Sequence, residues 1–221
     1  MFNFAPEING KCIMEWSEKQ LQILNVAEEL FASKGFEGTS VRDIAQKAEV
    51  NVAMISYYFG SKEKLLQSLI LNRTEQTGLI LEGLSHDVKL SPWEKIDKVI
   101  DYYVDKILNE RNFHAIMNRQ ISLVQDKKLT EILINVKKRN SSMISEIIHE
   151  GQRKKIFRHV NVALTIGTVM GTISQVSMSK PFYCSLLKLD AGDDISYYKK
   201  IRPQLKSHLK SLLRAHLSIN N

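Results

Sequence analysis

Residues 40–59, SVRDIAQKAEVNVAMISYYF, constrain this chain more than any other stretch. Place the small Ala45 where two helices touch. Ile44 and Ala48 then face inward from the first helix, Val50 plugs a turn, and Ile55 and Tyr58 face back from the second. That spacing is the template of a helix-turn-helix. It buries one side of both helices and leaves Asn51, Val52, Ala53, Ser56 and Tyr57 around the outer, N-terminal face of the second. A helix held this way can enter a DNA major groove, which is wide enough to admit it.

The surrounding sequence is helical almost throughout. Four prolines and ten glycines in 221 residues are few, and apolar residues recur at three- and four-residue intervals. A first helix opens at Ser17 with Gln20 completing a capping box. Its inward stripe is Leu21, Leu24, Ala27, Leu30 and Phe31, and Gly35 supplies a C-terminal cap. Ser40 with Asp43 caps the second helix, Asn51 caps the third, and Ser61 starts a longer fourth through Leu65, Leu66, Leu69 and Ile70. Residues 17–77 therefore read as one unit, preceded by a leader over 1–16 without periodicity, in which Met14 is an alternative start. Residues 78–221 read as a second, larger helical unit. Its helices are expected over Trp93–Leu108, after the strong start Ser91-Pro92, and over Phe113–Val124, Leu129–Gln152, Val160–Ser179 and Ile195–Leu217. Pro203 either kinks the last of these or marks its start at Arg202. Residues 180–194, with Pro181 and Gly192, are expected to form a loop.

Charge alone does not single out the N-terminal part. The chain carries a net +7, compatible with a polyanionic partner. Residues 1–65 nevertheless hold 7 Lys/Arg against 9 Asp/Glu, so the excess lies further on, in runs such as Arg153-Lys154-Lys155 that read as solvated helix faces. Cys12 and Cys184 cannot build a disulfide framework, no Cys/His cluster has zinc-site spacing, and no cofactor is expected. The N-terminus lacks a basic segment followed by an apolar one, so a cytoplasmic protein is expected. Residues 160–179 carry no charge but are diluted by Asn, Gln, Ser and Thr. A buried helix in close contact with another is expected there, not a membrane span.

The outer face of the third helix carries the right chemistry for a duplex. Asn51 and Ser56 can exchange hydrogen bonds with base edges, and Val52 and Ala53 can touch a thymine methyl. Tyr57 offers a phenolic OH at phosphate distance. Arg42 can reach the backbone or a guanine, Ser40 adds a hydroxyl, and Lys62 lies beside amides that favour an anion.

TSVRDIAQKAEVNVAMISYYFGSKEKLL resembles the DNA-binding segment of the TetR family of bacterial transcriptional regulators. The family pattern stands here as Thr39-Ser40, Ile44-Ala45 and Tyr58-Phe59-Gly60-Ser61-Lys62-Glu63-Lys64-Leu65-Leu66. The resemblance covers about residues 17–77; beyond them only length and helical character agree. It implies an all-α homodimer with an N-terminal three-helix helix-turn-helix DNA-binding domain joined to a larger helical effector-binding and dimerisation domain. It further implies a repressor that leaves its double-stranded DNA operator when a small molecule binds. Two positions depart from the pattern. Glu49 stands where the turn often has Gly, and Ser56 where Tyr is frequent, which shifts the phosphate contact towards Tyr57.

In the larger unit, Trp93, Tyr102, Tyr103, Phe113, Met117, Met143, Met170 and Met178 could line an effector cavity or simply fill the core. The six histidines are scattered without paired ligand spacing. Gly167 and Gly171 fit close helix packing. Leu209, Leu212, Leu213 and Leu217 give the last helix an apolar face that a two-fold dimer would bury. Two other functions compete: an enzyme, for which no phosphate loop, nucleophile elbow or metal-ligand set is present, and an architectural or protein-interaction DNA-binding protein without effector control.

Overall fold

The structure, a computed structural model, describes residues 16–123 and 127–219, except for the side chains of 118–123. Leader residues 1–15, Cys12 and Val124 lie outside that range. Ten helices are present among the described residues: α1 (Glu18–Lys34), α2 (Val41–Lys47), α3 (Val52–Phe59), α4 (Lys62–His86), α5 (Pro92–Asn109), α6 (Arg111–Leu123), α7 (Lys127–Arg153), α8 (Val162–Met178), α9 (Lys180–Leu187) and α10 (Asp194–Leu217). The only β-type pairing among them is an isolated antiparallel bridge between Phe157 and Ser218.

The helix starts follow local chemistry. Ser17, Ser40 and Ser91 each form a capping box, with Gln20, Asp43 and Glu94 respectively. Each box satisfies two amides that a helix start leaves unpaired. Gly35 and Gly60, both with φ near +80°, close α1 and α3.

The described residues divide into two compact units: those of 1–77 with 115–136, and those of 78–114 with 137–221. Residues 115–136 thus group with the N-terminal helices, whereas the sequence division at 77/78 assigned them to the larger unit. In the first unit Ile23, Leu24, Ala27, Leu30 and Phe31 of α1 pack inward with Ile44, Ala45, Ile55, Phe59, Leu65, Leu66, Leu69 and Ile70. Leu21, expected in that stripe, is 37% exposed, and Ile23 takes the buried place.

In the second unit α10 lies against α5 along a seam with a four-residue repeat. Ile201, Leu205, Leu209, Leu213 and Leu217 are all buried. Beside them on α10, Arg202 and Lys206 pair with Asp105, Lys210 with Asp101 and Arg214 with Asp97, at 2.6–2.9 Å. Charges four residues apart lie on one helix face, so cations on α10 meet an Asp97-Asp101-Asp105 row on α5. Individual exposed pairs of this kind contribute little, but a row of them fixes register. Pro203 does not mark the start of α10: the helix begins at Asp194 and runs through it.

One expected loop is a helix. Residues 180–187 form α9 because Pro181 sits in its first turn, where a missing N–H leaves nothing unsatisfied. Among the described residues no single helix is long and apolar enough to cross a membrane; α8 and α9 reach that length together only across a bend of 83°.

Candidate nucleic-acid interface and apolar cavity

α3 is only eight residues long, so its orientation depends on what pins it. Ile55 and Phe59 are buried beneath it, Tyr58 is half-buried, and Trp16 stacks on Phe59 at 6.4 Å. The turn before it is fixed by Val50 N–H donating to the Ala45 carbonyl and by Gln22 Nε2 donating to the Ala48 carbonyl. Glu49 does adopt the left-handed conformation, φ 51°. For a residue with a Cβ this costs on the order of 1 kcal/mol, offset by the packing of Ala45, Ala48 and Ile55.

With α3 pinned this way, Asn51, Val52, Ala53, Ser56 and Tyr57 are all exposed on its outer face, together with Arg42 and Ser40 on the preceding segment. Tyr57 is 77% exposed, and its ring is steadied edge-on by Tyr58 at 5.2 Å. The structure assigns other work to three groups that the sequence offered to DNA. Asn51 Oδ1 accepts from Ala53 N–H at 2.9 Å as the helix cap, which leaves its amide NH2 as the outward group. The Ser40 hydroxyl donates to the Asp43 carboxylate and accepts the Asp43 N–H; that donated bond, with a second from the Ser40 N–H, holds the Asp43 carboxyl below its ordinary range. Lys62 donates to the carbonyls of Phe36 and Thr39 at 2.9 and 3.1 Å, with its ammonium 4.2 Å from the Phe36 ring centre. It therefore braces the α1–α2 connection instead of reaching out for phosphate. Thr39, fully buried, ties the same connection through its hydroxyl to Leu30 and Gly35.

The second unit contains an apolar cavity of about 30 Å³ walled by α5, α7, α8 and α10. Tyr103 and Met170 of the expected lining residues do face it, alongside Ile100, Ile148, Val169 and Leu213. The others do not. Trp93 packs edge-on against Phe157 at 4.6 Å with Arg214 over its other face. Tyr102 stands edge-on to Tyr103. Phe113 is fully buried beside His114. Met143 packs half-buried against the core, and Met117 belongs to the first unit. Aromatic and Met content in the sequence reported burial here, whereas β-branched residues on α5, α7 and α8 carry the cavity.

The dimer residues also divide. Leu209 and Leu213, expected to be covered by a second copy, are 0% and 4% exposed within one chain, because α5 takes up their face. Leu212 is half-buried. Gly167 and Gly171 stand exposed on α8 with open space where a Cβ would be, and Leu164 beside them is 69% exposed. The row of aspartates on α5 was legible as a four-residue repeat matching the cations of α10, and it would have assigned the leucine seam correctly.

Comparison with known proteins agrees with this geometry. The family model described as "Bacterial regulatory proteins, tetR family" matches residues 23–69, and a model described as "Tetracyclin repressor-like, C-terminal domain" matches 89–178. The probable HTH-type transcriptional regulator YttP of Bacillus subtilis is 26% identical over 87% of this chain and 93% of its own length. The fatty acid metabolism regulator protein of the same organism is 28% identical over 71% of this chain and 80% of its own. The crystal structure of the TetR family transcriptional regulator PfmR from Thermus thermophilus shares the fold, with TM-score 0.69 at 20% identity over 90% of this chain and 96% of that one. With both family models matched in order on an all-α chain whose third helix is pinned outward, this protein belongs to the TetR family of DNA-binding transcriptional regulators.

Proposed function

We propose that the protein is a cytoplasmic repressor that binds a (pseudo)palindromic operator as a homodimer and leaves it when a small molecule enters the second unit. The observation that carries the reading is the outer face of α3. Val52, Ala53, Ser56 and Tyr57 are all exposed while Ile55 and Phe59 anchor the helix from behind. Small residues allow close approach to base edges, Ser56 and the Asn51 amide supply hydrogen bonds, and Tyr57 and Arg42 meet the backbone. The dimer seam is the exposed face of α8 at Leu164, Gly167 and Gly171, and it takes in the half-buried Leu212 of α10. Two-fold pairing places two copies of α3 about one DNA turn apart, or somewhat more.

The cavity supports effector control by its apolar lining, since small-molecule sites are concave and mostly apolar. Its size, about 30 Å³, also fits a second reading: a DNA-binding protein without effector control, in which this space is a packing defect. Thermal-shift screening separates the two. A ligand present at about a hundred times its Kd stabilises by about 2.7 kcal/mol, and an effector must also reduce operator binding; a compound library that does neither favours the second reading.

A further inference from the structure

α3 carries no charge. Its eight residues, VAMISYYF, contain no acid, no base and no side-chain amide. The usual base readers of a major-groove helix, Arg or Lys on guanine and Asn or Gln on adenine, are therefore missing along its length. Asn51, the cap just before it, makes up only part of that loss. Its Oδ1 accepts the Ala53 N–H at 2.9 Å, so the side chain meets DNA as a donor alone. A two-bond adenine contact needs the amide oxygen to accept from adenine N6 while the NH2 donates to N7. A lone donor bonds the N7 of adenine or of guanine, and so supplies a bond without a choice of purine.

The flanking lysines do not replace the missing readers. Lys47 pairs with Glu29 at 2.7 Å. Lys62 donates to the carbonyls of Phe36 and Thr39, and Lys64 lies against Gly60, past the C-terminal end of α3. What the first turn of α3 does offer is methyl groups: Val52 is 39% exposed, and Ala53 is exposed beside it. Ser56, one turn after Val52, has a hydroxyl that donates or accepts and so suits any base pair. Apolar carbon over the pyrimidine of a G·C pair takes water from cytosine N4 and gives it no acceptor. Over the pyrimidine of an A·T pair it meets the thymine C5-methyl.

We infer that the base pairs beneath the first turn of α3 are A·T pairs, chosen through their thymine methyls by Val52 and Ala53. The Asn51 amide adds a bond to an acceptor on the same edge, thymine O4 or a purine N7, and Arg42 and Tyr57 stay on the backbone. This rests on DNA reading by α3 and adds the bases to it. Discrimination here works by contact and desolvation and not by charge, so each chosen pair contributes modestly. Burying one methyl against carbon amounts to about fourfold in affinity. Selectivity for the whole site is then the product of several such pairs.

Fluorescence anisotropy of the full-length protein tests it, on the duplex recovered from a random library and on single-base variants of that duplex. The recovered half-site is expected to hold a run of A·T pairs. Uracil in place of a thymine of that run removes only the methyl, and is expected to weaken binding about fourfold, while uracil elsewhere in the duplex changes it by less than about twofold. Exchanging one pair of the run for G·C weakens binding further, and 5-methylcytosine in place of that cytosine restores part of the loss. Val52→Ala erases the uracil penalty at the position that Val52 covers. A run of G·C pairs, in a site whose binding Ala53→Glu abolishes, overturns the proposal and leaves DNA reading by α3 standing. So do uracil penalties that nowhere exceed about twofold, or penalties unchanged in a folded Val52→Ala protein. A site that Ala53→Glu binds as tightly as the wild type, or no shared sequence at all, overturns the proposal together with DNA reading by α3.

Discussion

Lys95 Nζ lies 2.7 Å from a carboxylate oxygen of Glu150, and the same ammonium donates to the Ser85 carbonyl at 2.8 Å. Lys95 is 2% exposed, so a charge is held inside the second unit by two partners. One partner is on α7 and the other at the C-terminal end of α4. The bonds from Lys154 and Lys95 keep the Glu150 carboxyl below its ordinary range. Lys95 precedes Ile96 and Glu150 follows Ile148 by two, so the pair clamps α5 to α7, two of the four helices that wall the cavity.

Removing one member of a buried pair leaves the other uncompensated and costs about 3–5 kcal/mol. Glu150→Leu, which strips the buried Lys95 of its carboxylate, is expected to lower unfolding free energy by roughly that amount in urea titration, and Lys95→Met with Glu150→Leu to recover most of it. A single variant as stable as the wild type would show that the pair carries no stability.

Backbone and base contacts respond differently to salt. Arg42→Ala is expected to reduce the slope of log K against log salt by about 1, the loss of one phosphate contact. Tyr57→Phe removes only a neutral hydroxyl; it should weaken binding to every sequence by about fivefold with the slope unchanged. Fluorescence anisotropy at several salt concentrations reads both, and an unaltered slope for Arg42→Ala removes that residue from the contact list. Lys62→Met should instead act through stability, by about 1–2 kcal/mol, because its ammonium caps Phe36 and Thr39.

Much of the N-terminal unit was legible because its rules are local. The capping boxes at Ser17 and Ser40, the buried Ile44 and Ala45, and the exposed Ser56 and Tyr57 all follow from spacing within one or two turns. The use of Lys62, Asn51 Oδ1 and the Ser40 hydroxyl was less legible, since each has a local partner that competes with an outside ligand. Trp93 and Leu209 failed for another reason. A residue's apolar character reports burial but not which neighbour buries it, and for Leu209 the neighbour is α5 of the same chain. Pro181 misled because a proline both breaks helices and starts them.

The last helix and α8 should therefore part company under mutation. Leu209→Ala is expected to cost about 2–5 kcal/mol of stability through the cavity it opens. Gly171→Glu puts a charge on an exposed face and should leave the fold intact while shifting sedimentation to the monomer. A fully dimeric Gly171→Glu protein would place the subunit seam elsewhere.

Burial pushes the His114 imidazole down from 6.5 to about 4, with the Lys106 charge adding to the effect. Its Nε2 has no partner among the described residues. The unfolded chain therefore binds a proton more readily between those values, and stability falls as pH drops from 6.5 towards 4, by up to about 1.4 kcal/mol per unit. Asp43 and Glu94, held below the usual carboxylate range by their serine caps, lose their contribution only at more acid pH, as it falls through their lowered values. His114→Gln should flatten the arm between 6.5 and 4 in pH-dependent chemical denaturation; an unchanged arm assigns it to another group.

The most direct measurement is selection of DNA from a random library by the purified protein, run in parallel with Ala53→Glu, which puts a carboxylate on the outer face of α3. The wild type should return a two-fold symmetric site with half-sites about one helical turn or somewhat more apart, and Ala53→Glu, equally folded, should return none. Recovery of the same site by both proteins, or of no shared sequence by the wild type, would contradict DNA reading by α3.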